Sequence, residues 1–168
     1  MFYDFGNPTK MKSEWCRKQM RLLSQLECEE DKPVRRYGLA NVLQEMAKRD
    51  YAAVNSTTIN LMEHLLYVLT APNDDAKDHW LWEIVNFRKT LLRYLDISEK
   101  NKKGNTNLKN RLKENWQANY EKAIAGVLKK ARLSTPNTFM TSRIPPEPPW
   151  SLEDFLTKNA KELSGVEF

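Results

Sequence analysis

Ile84, Phe87, Leu91 and Leu95 recur at i, i+3, i+7 and i+11, and Trp80, Leu81, Val85 and Leu92 widen that stripe. Such spacing lines one face of a helix of 3.6 residues per turn and no face of a strand. Three other stretches repeat the pattern. Trp15, Gln19, Leu22 and Leu26, with Leu23 alongside, carry it between Pro8 and Cys28. Leu39, Val42, Leu43 and Met46 begin a longer run that Val54, Ile59, Leu61, Leu65, Val68 and Leu69 continue. Leu108, Leu112, Trp116, Tyr120, Ala123 and Val127 form the last stripe. No alternation long enough for a strand appears, and no repeat of 20–50 residues. Glycine is scarce, at five residues, while Lys, Arg, Leu, Ala and Glu are common, a mix that favours helix over sheet. The reading is all-α: an up-and-down bundle of four or five helices with a proline-rich C-terminal arm and a short final helix. At 168 residues, the chain reads as a single domain over 1–168 that buries a core without metal or disulfide.

The element limits follow from breakers and caps. Residues 1–8 read as an irregular arm that Phe2, Tyr3 and Phe5 pin to the core, and Thr9 or Ser13 caps the first helix. Pro33 and Gly38 mark a break. Asn55 to Thr58 ("NSTT") are weak helix formers, so a second break is expected within 48–58. Pro72 ends that element. Asp78 is the expected cap of the next helix, with Glu83 early in it to suit the dipole. "ISEKNKKGNTN" is a polar loop, and one helix then runs from Leu108 to Arg132. The arm spans 143–150. A last helix spans about 151–162, with Ser151 at its N-cap and Glu153 and Asp154 in its first turn.

No window holds eighteen apolar residues without charge, and the N-terminal residues lack the layout of a signal peptide. Cys16 and Cys28 are no disulfide framework: on one helix they stand about 18 Å apart at ~1.5 Å rise per residue. Reduced thiols point to the cytoplasm. The net charge of +5 is uneven, because Arg88 to Arg132 holds 13 Lys and Arg against 4 Asp and Glu, or +9, leaving −4 elsewhere. A local basic excess is a solvated helix face with a basic loop, or a footprint for nucleic acid or an acidic partner. Lys102, Lys103, Lys109, Arg111 and Lys113 are the residues such binding would use.

Phosphate loops, dinucleotide glycine patterns and paired-cysteine zinc motifs are absent, so no cofactor and no metal is expected. Cys16, Cys28, His64 and His79 show no ligand spacing. His64 falls with Leu61, Leu65 and Val68 on an apolar face. It is either a core histidine bonded to a neighbour or a switch or base. Arg88, at the edge of the next stripe, needs Glu45, Glu63 or a loop carbonyl as a partner, or else binds an anion. Together His64 and Arg88 are the weak catalytic candidates. Trp80 and Trp82 cannot share one helix face, so one packs elsewhere or is exposed. Trp82, Trp116, Tyr120, Trp150 and Ser151 read as structural anchors.

Half of the chain's eight prolines fall in "RIPPEPPW", directly before Ser151. A "PPEPP" segment favours the extended polyproline conformation that proline-binding domains read. Trp150 stands one place before the cap, where an apolar residue staples onto N4, here Phe155. That favours a structural strap over a free ligand.

His64 within "LMEHLLYVL", Trp82 and Arg88 in "WEIVNFR", Tyr120, Lys122 and Ala123 in "NYEKA", and the arm Pro145, Pro146, Pro148, Pro149, Trp150, Ser151, Leu152 and Glu153 form an ordered set. With that order the chain resembles the twenty-ninth family of domains of unknown function, small all-helical prokaryotic proteins, over roughly residues 11–157. It departs from the family in a shorter link near Lys48–Tyr51, in "NKKGNTN", and in its final residues. The resemblance implies an all-α fold and supplies no catalytic residues. Three functions are consistent with the sequence: a helical module binding a protein or itself, a nucleic-acid-associated protein using 88–132, or a metal-independent nuclease using His64 and Arg88.

Overall fold

A computed structural model describes residues 33–71, 76–134 and 138–165, with side chains from residue 41 onward. Every regular element among them is helical. Helix α1 spans Pro33–Thr70, α2 Lys77–Tyr94, α3 Thr106–Glu114, α4 Trp116–Leu133, α5 Leu152–Thr157 and α6 Ala160–Ser164, with a 3-10 turn at Thr141–Arg143. The expectations for Phe2, Tyr3, Phe5, Thr9, Ser13, Trp15, Cys16 and Cys28 lie outside the described residues.

The chain divides into two compact units, Met1–Ala53 and Val54–Phe168. In the first, Leu43 is buried while Val42 beside it and Met46 on the next turn are exposed. The second holds the core described below.

Helix α1 corrects the expected break within 48–58 and the expectation that Gly38 lies in one. It begins at Pro33, where the missing N–H is one the helix would leave unpaired anyway, and it runs on through Gly38. It also continues through Asn55 to Thr58. Val54, Thr57 and Thr58 are buried there, and the Thr58 hydroxyl donates to the Val54 carbonyl at 2.9 Å. Tertiary burial outweighs the weak local propensity, and the i−4 carbonyl satisfies the buried Thr58 hydroxyl.

In the second unit α1 and α2 run antiparallel: Tyr67 meets Trp80 with ring centroids 5.4 Å apart, and His64 meets Phe87 at 5.1 Å. Helix α4 runs parallel to α1. A Cβ added to Gly126 would fall 2.5 Å from Glu63 Oε2. One turn further along both helices, Lys130 Nζ stands 4.2 Å from the Tyr67 ring centroid. The glycine lets the two helices bring a carboxylate against backbone. Leu61, Met62, Leu65, Ile84, Leu91, Leu112, Tyr120, Val127 and Phe155 fill the core.

The single helix expected over 108–132 is two. Asn115 ends α3 at φ −104° and ψ 12°, and its Nδ2 donates to the Arg111 carbonyl at 2.9 Å. A side chain offering the backbone an alternative partner is why asparagine interrupts helices. In the polar loop before α3, Asn101 Nδ2 donates to the Asp96 carbonyl and to Asp96 Oδ2, both at 2.9 Å. Gly104 adopts φ +60° there, with no room for a Cβ beside Ile97 and the Leu95 carbonyl. Asn105 caps α3 by accepting from the Leu108 N–H at 3.1 Å.

Asp78 lies inside the first turn of α2, with Ala76 at the cap, which corrects the expected cap. The last helix is likewise two short ones, because Lys158 is extended and Asn159 starts again with its own capping box to Glu162. Helix α2 packs against α5 and α6, and α3 against α4.

Candidate functional site

Two polar constellations stand out in the second unit. The first lies where the C-terminal arm meets the bundle. Ser151 Oγ accepts from the Asp154 N–H at 3.1 Å, while the Ser151 N–H donates to Asp154 Oδ2 at 2.7 Å. This reciprocal box fixes where α5 starts. Trp150 and Phe155 sit at N′ and N4 of that box, with ring centroids 6.3 Å apart. Lys158 Nζ approaches Asp154 Oδ1 to 2.7 Å. That hydrogen bond, with those from Ser151, holds the Asp154 carboxyl down at about 2.

Four side chains then clamp the C-terminal segment by donating to its carbonyls. The Tyr120 hydroxyl donates to Pro145 O at 2.8 Å. The Trp116 indole donates to Trp150 O at 2.9 Å, and the Trp150 indole to Leu163 O at 2.9 Å. Arg88 donates through Nε to Phe155 O and through its terminal nitrogen to Leu156 O, each at 3.0 Å. Those two carbonyls belong to the last turn of α5, which no intrahelical donor reaches. Arg88 therefore caps a helix C-terminus with a cation, where the macrodipole favours one. Burial works against its charge, and the Glu162 carboxylate offsets part of that. Trp116 also packs edge-on to Phe155 at 5.1 Å. Beside the arm, Lys113, Trp116, Gln117, Pro148, Pro149 and Trp150 line an open groove of about 580 Å³.

The second constellation surrounds His64. Its Nδ1 donates to the Asn60 carbonyl at 2.8 Å, since a carbonyl only accepts. The neutral ring therefore carries its lone pair on Nε2. Tyr67 lies edge-on to it at 5.2 Å. Burial is the main cause that holds the His64 pKa below its ordinary value, and Lys130 adds to it. The Asn60 carbonyl, Glu63 and Glu83 oppose both. The Tyr67 hydroxyl donates to Glu63 Oε1. Burial first, and that carboxylate second, push the phenol above its usual range. The Lys130 ammonium covers the faces of Tyr67 and Trp80 at 4.2 and 5.3 Å, and Phe139 closes the aromatic group at 5.8 Å from Tyr67. Cation–π attraction holds the lysine there.

No hydrogen bond or ring contact joins His64 to Arg88 among the described residues. Arg88 is engaged with α5, and His64 is tied to its own helix. A catalytic pairing of the two has no geometric support. Trp82 is corrected as an anchor: it is 61% exposed, while Trp80 is buried at 3%. Their i, i+2 spacing put them on opposite faces. Lys102, Lys103, Arg111 and Lys113 are exposed, and Lys109 Nζ donates to the Lys103 carbonyl at 3.1 Å. Sequence reasoning missed Trp116 and Tyr120 as carbonyl readers and missed the second capping box. "NAKE" carries the Asn-x-x-Glu signature that would have found the box. Among the described residues no group of three His, Cys, Asp or Glu is placed to hold a metal, and no helix is long and apolar enough to cross a membrane.

Taken together, the chain is an all-α helical protein whose C-terminal segment is strapped across its bundle. The model of the family described as domain of unknown function DUF29 matches residues 11–160, and the chain belongs to that family. No curated protein and no solved structure matches it.

Proposed function

We propose that the chain is a helical interaction module that binds another protein through the outward face of α2. The observation that carries this reading is Trp82, 61% exposed, with the His79 ring stacked on it at 6.3 Å and an interplanar angle of 19°. His79, Trp82, Lys89 and Arg93 recur on one helix face, and all four are exposed. Tryptophan and arginine are enriched among the residues that dominate binding at interfaces. Lys89 and Arg93, two and three turns further along that face, favour a partner with acidic groups opposite them. We place this activity in the cytoplasm, the compartment that two cysteines without a disulfide framework suit.

The test is co-purification with the full chain and its Trp82→Ala variant, alongside light scattering of each. A partner, or a self-associated species, that weakens about 30-fold or more on Trp82→Ala supports the reading, as expected of an interface anchor. A clean monomer that retains no partner in either form overturns it.

A second reading uses the basic segment. Lys102, Lys103 and Lys113 are exposed and make no ion pair among the described residues, which leaves their charge unneutralised. Phosphate contacts there would weaken steeply with salt. Gel-shift assays with mixed RNA and DNA at low salt are expected to show a complex that charge reversal at Lys102, Lys103, Lys109 and Lys113 abolishes. No shift at low salt removes this reading.

A further inference from the structure

Helices α1, α2 and α4 meet around the ring of Tyr67. His64, on the same helix, lies edge-on to it at 5.2 Å, Trp80 of α2 meets it at 5.4 Å, and Lys130 of α4 places its ammonium 4.2 Å from its centre. Two basic side chains therefore flank one phenol. The distances from its centre to each, 5.2 and 4.2 Å, laid end to end stay within one Debye length, about 10 Å at 0.1 M salt. Lys130 is also the cation that ties α4 to both other helices, through Tyr67 and Trp80.

His64 has one place for a second proton. Its Nδ1–H is given to the Asn60 carbonyl, so a proton from solvent goes to Nε2 and makes the ring a cation. The charged and titratable groups that face it are Glu63 and Tyr67 on α1, Glu83 on α2 and Lys130 on α4. Tyr67 stays protonated, because burial and Glu63 raise its phenol. Glu63 and Glu83 favour the imidazolium, and among the charged groups Lys130 alone opposes it. Coupling between two sites is reciprocal: as Lys130 disfavours the proton on His64, that proton disfavours the ammonium in its seat. The seat is a cation–π contact, with no hydrogen bond from Lys130 to either ring, so it yields before the packed core around it does.

We propose that His64 and Lys130 form a pH-gated clasp, in which Lys130 holds the last turn of α4 onto Tyr67 and Trp80 while His64 is neutral, and protonation of His64 Nε2 drives the ammonium off the two rings. Ala123 and Val127 keep α4 in the core in either state, so the change is confined to its C-terminal end. The clasp is closed at neutral pH. It opens as pH falls through the His64 value, which burial holds below the ordinary 6.5. Trp82 faces away from this junction, so the clasp and the protein-binding reading of Trp82 fail separately.

Solution NMR of the full-length chain tests this between about pH 8 and pH 5. The Lys130 ε-methylene lies over two aromatic faces and is expected upfield at neutral pH. On acidification it is expected to move to the position of an exposed lysine, with the same midpoint as the His64 Cε1–H signal in that sample. His64→Gln is expected to keep it upfield throughout. Lys130→Gln is expected to raise the His64 midpoint by about half a pH unit, roughly a threefold gain in proton affinity for charges this far apart. A Lys130 signal that stays upfield through the His64 titration overturns the proposal. So does one that moves equally in the His64→Gln chain, which would make the carboxylates its source, and so does a His64 midpoint that Lys130→Gln leaves in place. Should His64→Gln fail to fold, the shared midpoint in wild type and the shift in Lys130→Gln decide.

Discussion

The arm-docking face and the His64 cluster both place polar side chains against a packed core, and they resolve that conflict differently. At the arm, Arg88, Trp116 and Tyr120 reach across the fold to distant main-chain carbonyls. Around His64 the hydrogen bonds are local, from His64 to Asn60 and from Tyr67 to Glu63, each four residues apart on α1. The first arrangement ties elements together and makes tertiary structure depend on single side chains. The second keeps its hydrogen bonds on one helix and leaves the contacts between helices to ring packing and to Lys130 over Tyr67 and Trp80.

If that contrast holds, substitutions at the arm cost the most. Trp150→Ala removes the staple onto Phe155 and the bond to Leu163, and is expected to destabilise by about 3 kcal/mol. Arg88→Lys keeps the charge but loses the planar fork that serves two carbonyls at once. About 2 kcal/mol is expected by chemical denaturation, with an unchanged m-value. Tyr120→Phe leaves the Pro145 carbonyl without its donor and is expected to cost about 1 kcal/mol.

Asn119 probes the rest of the interior in the opposite direction. It is 1% exposed, and neither side-chain amide atom has a hydrogen-bond partner among the described residues. Asn119→Leu is therefore expected to be neutral or to stabilise by about 1 kcal/mol. A loss of stability would mean that the amide serves a bound group.

The smallest expected effect concerns pH at the second region. His64 is held neutral, with its folded pKa below the ordinary 6.5, so between that lowered value and 6.5 the unfolded chain binds more protons. Stability from this group is full above pH 6.5 and falls as pH drops through that window. His64→Gln is expected to flatten the melting temperature against pH there while leaving the arm contacts intact. An equal slope in wild type and variant would separate His64 from the acid sensitivity.

These regions also differ in how much of them the sequence discloses. The Ser151 cap and the Trp150–Phe155 staple are legible because they join residues within five positions of one another. Arg88 was readable only as a side chain in need of a partner. Its carbonyls lie 67 and 68 residues away, and a carbonyl carries no residue identity. Trp116 and Tyr120 were readable as members of an apolar stripe. Periodicity says nothing of where an indole N–H or a phenol points. The helix through Asn55–Thr58 was misread because propensity is local, whereas Val54 and Thr58 are fully buried by the surrounding fold. Asn115 was passed over for the reverse reason: one side-chain bond to Arg111 interrupts a stripe that the apolar pattern carries straight through.

The central claim is that the proline-rich arm is part of the fold, strapped to the bundle through Trp150. Thermal unfolding of the full-length Trp150→Ala chain, followed by far-UV circular dichroism beside Trp82→Ala, tests it most directly. The account predicts a fall of about 6–12 °C for Trp150→Ala, the shift that ~3 kcal/mol produces in a chain of this size, and no significant change for Trp82→Ala. An unchanged melting temperature for Trp150→Ala would contradict it and return the arm to the role of a free ligand.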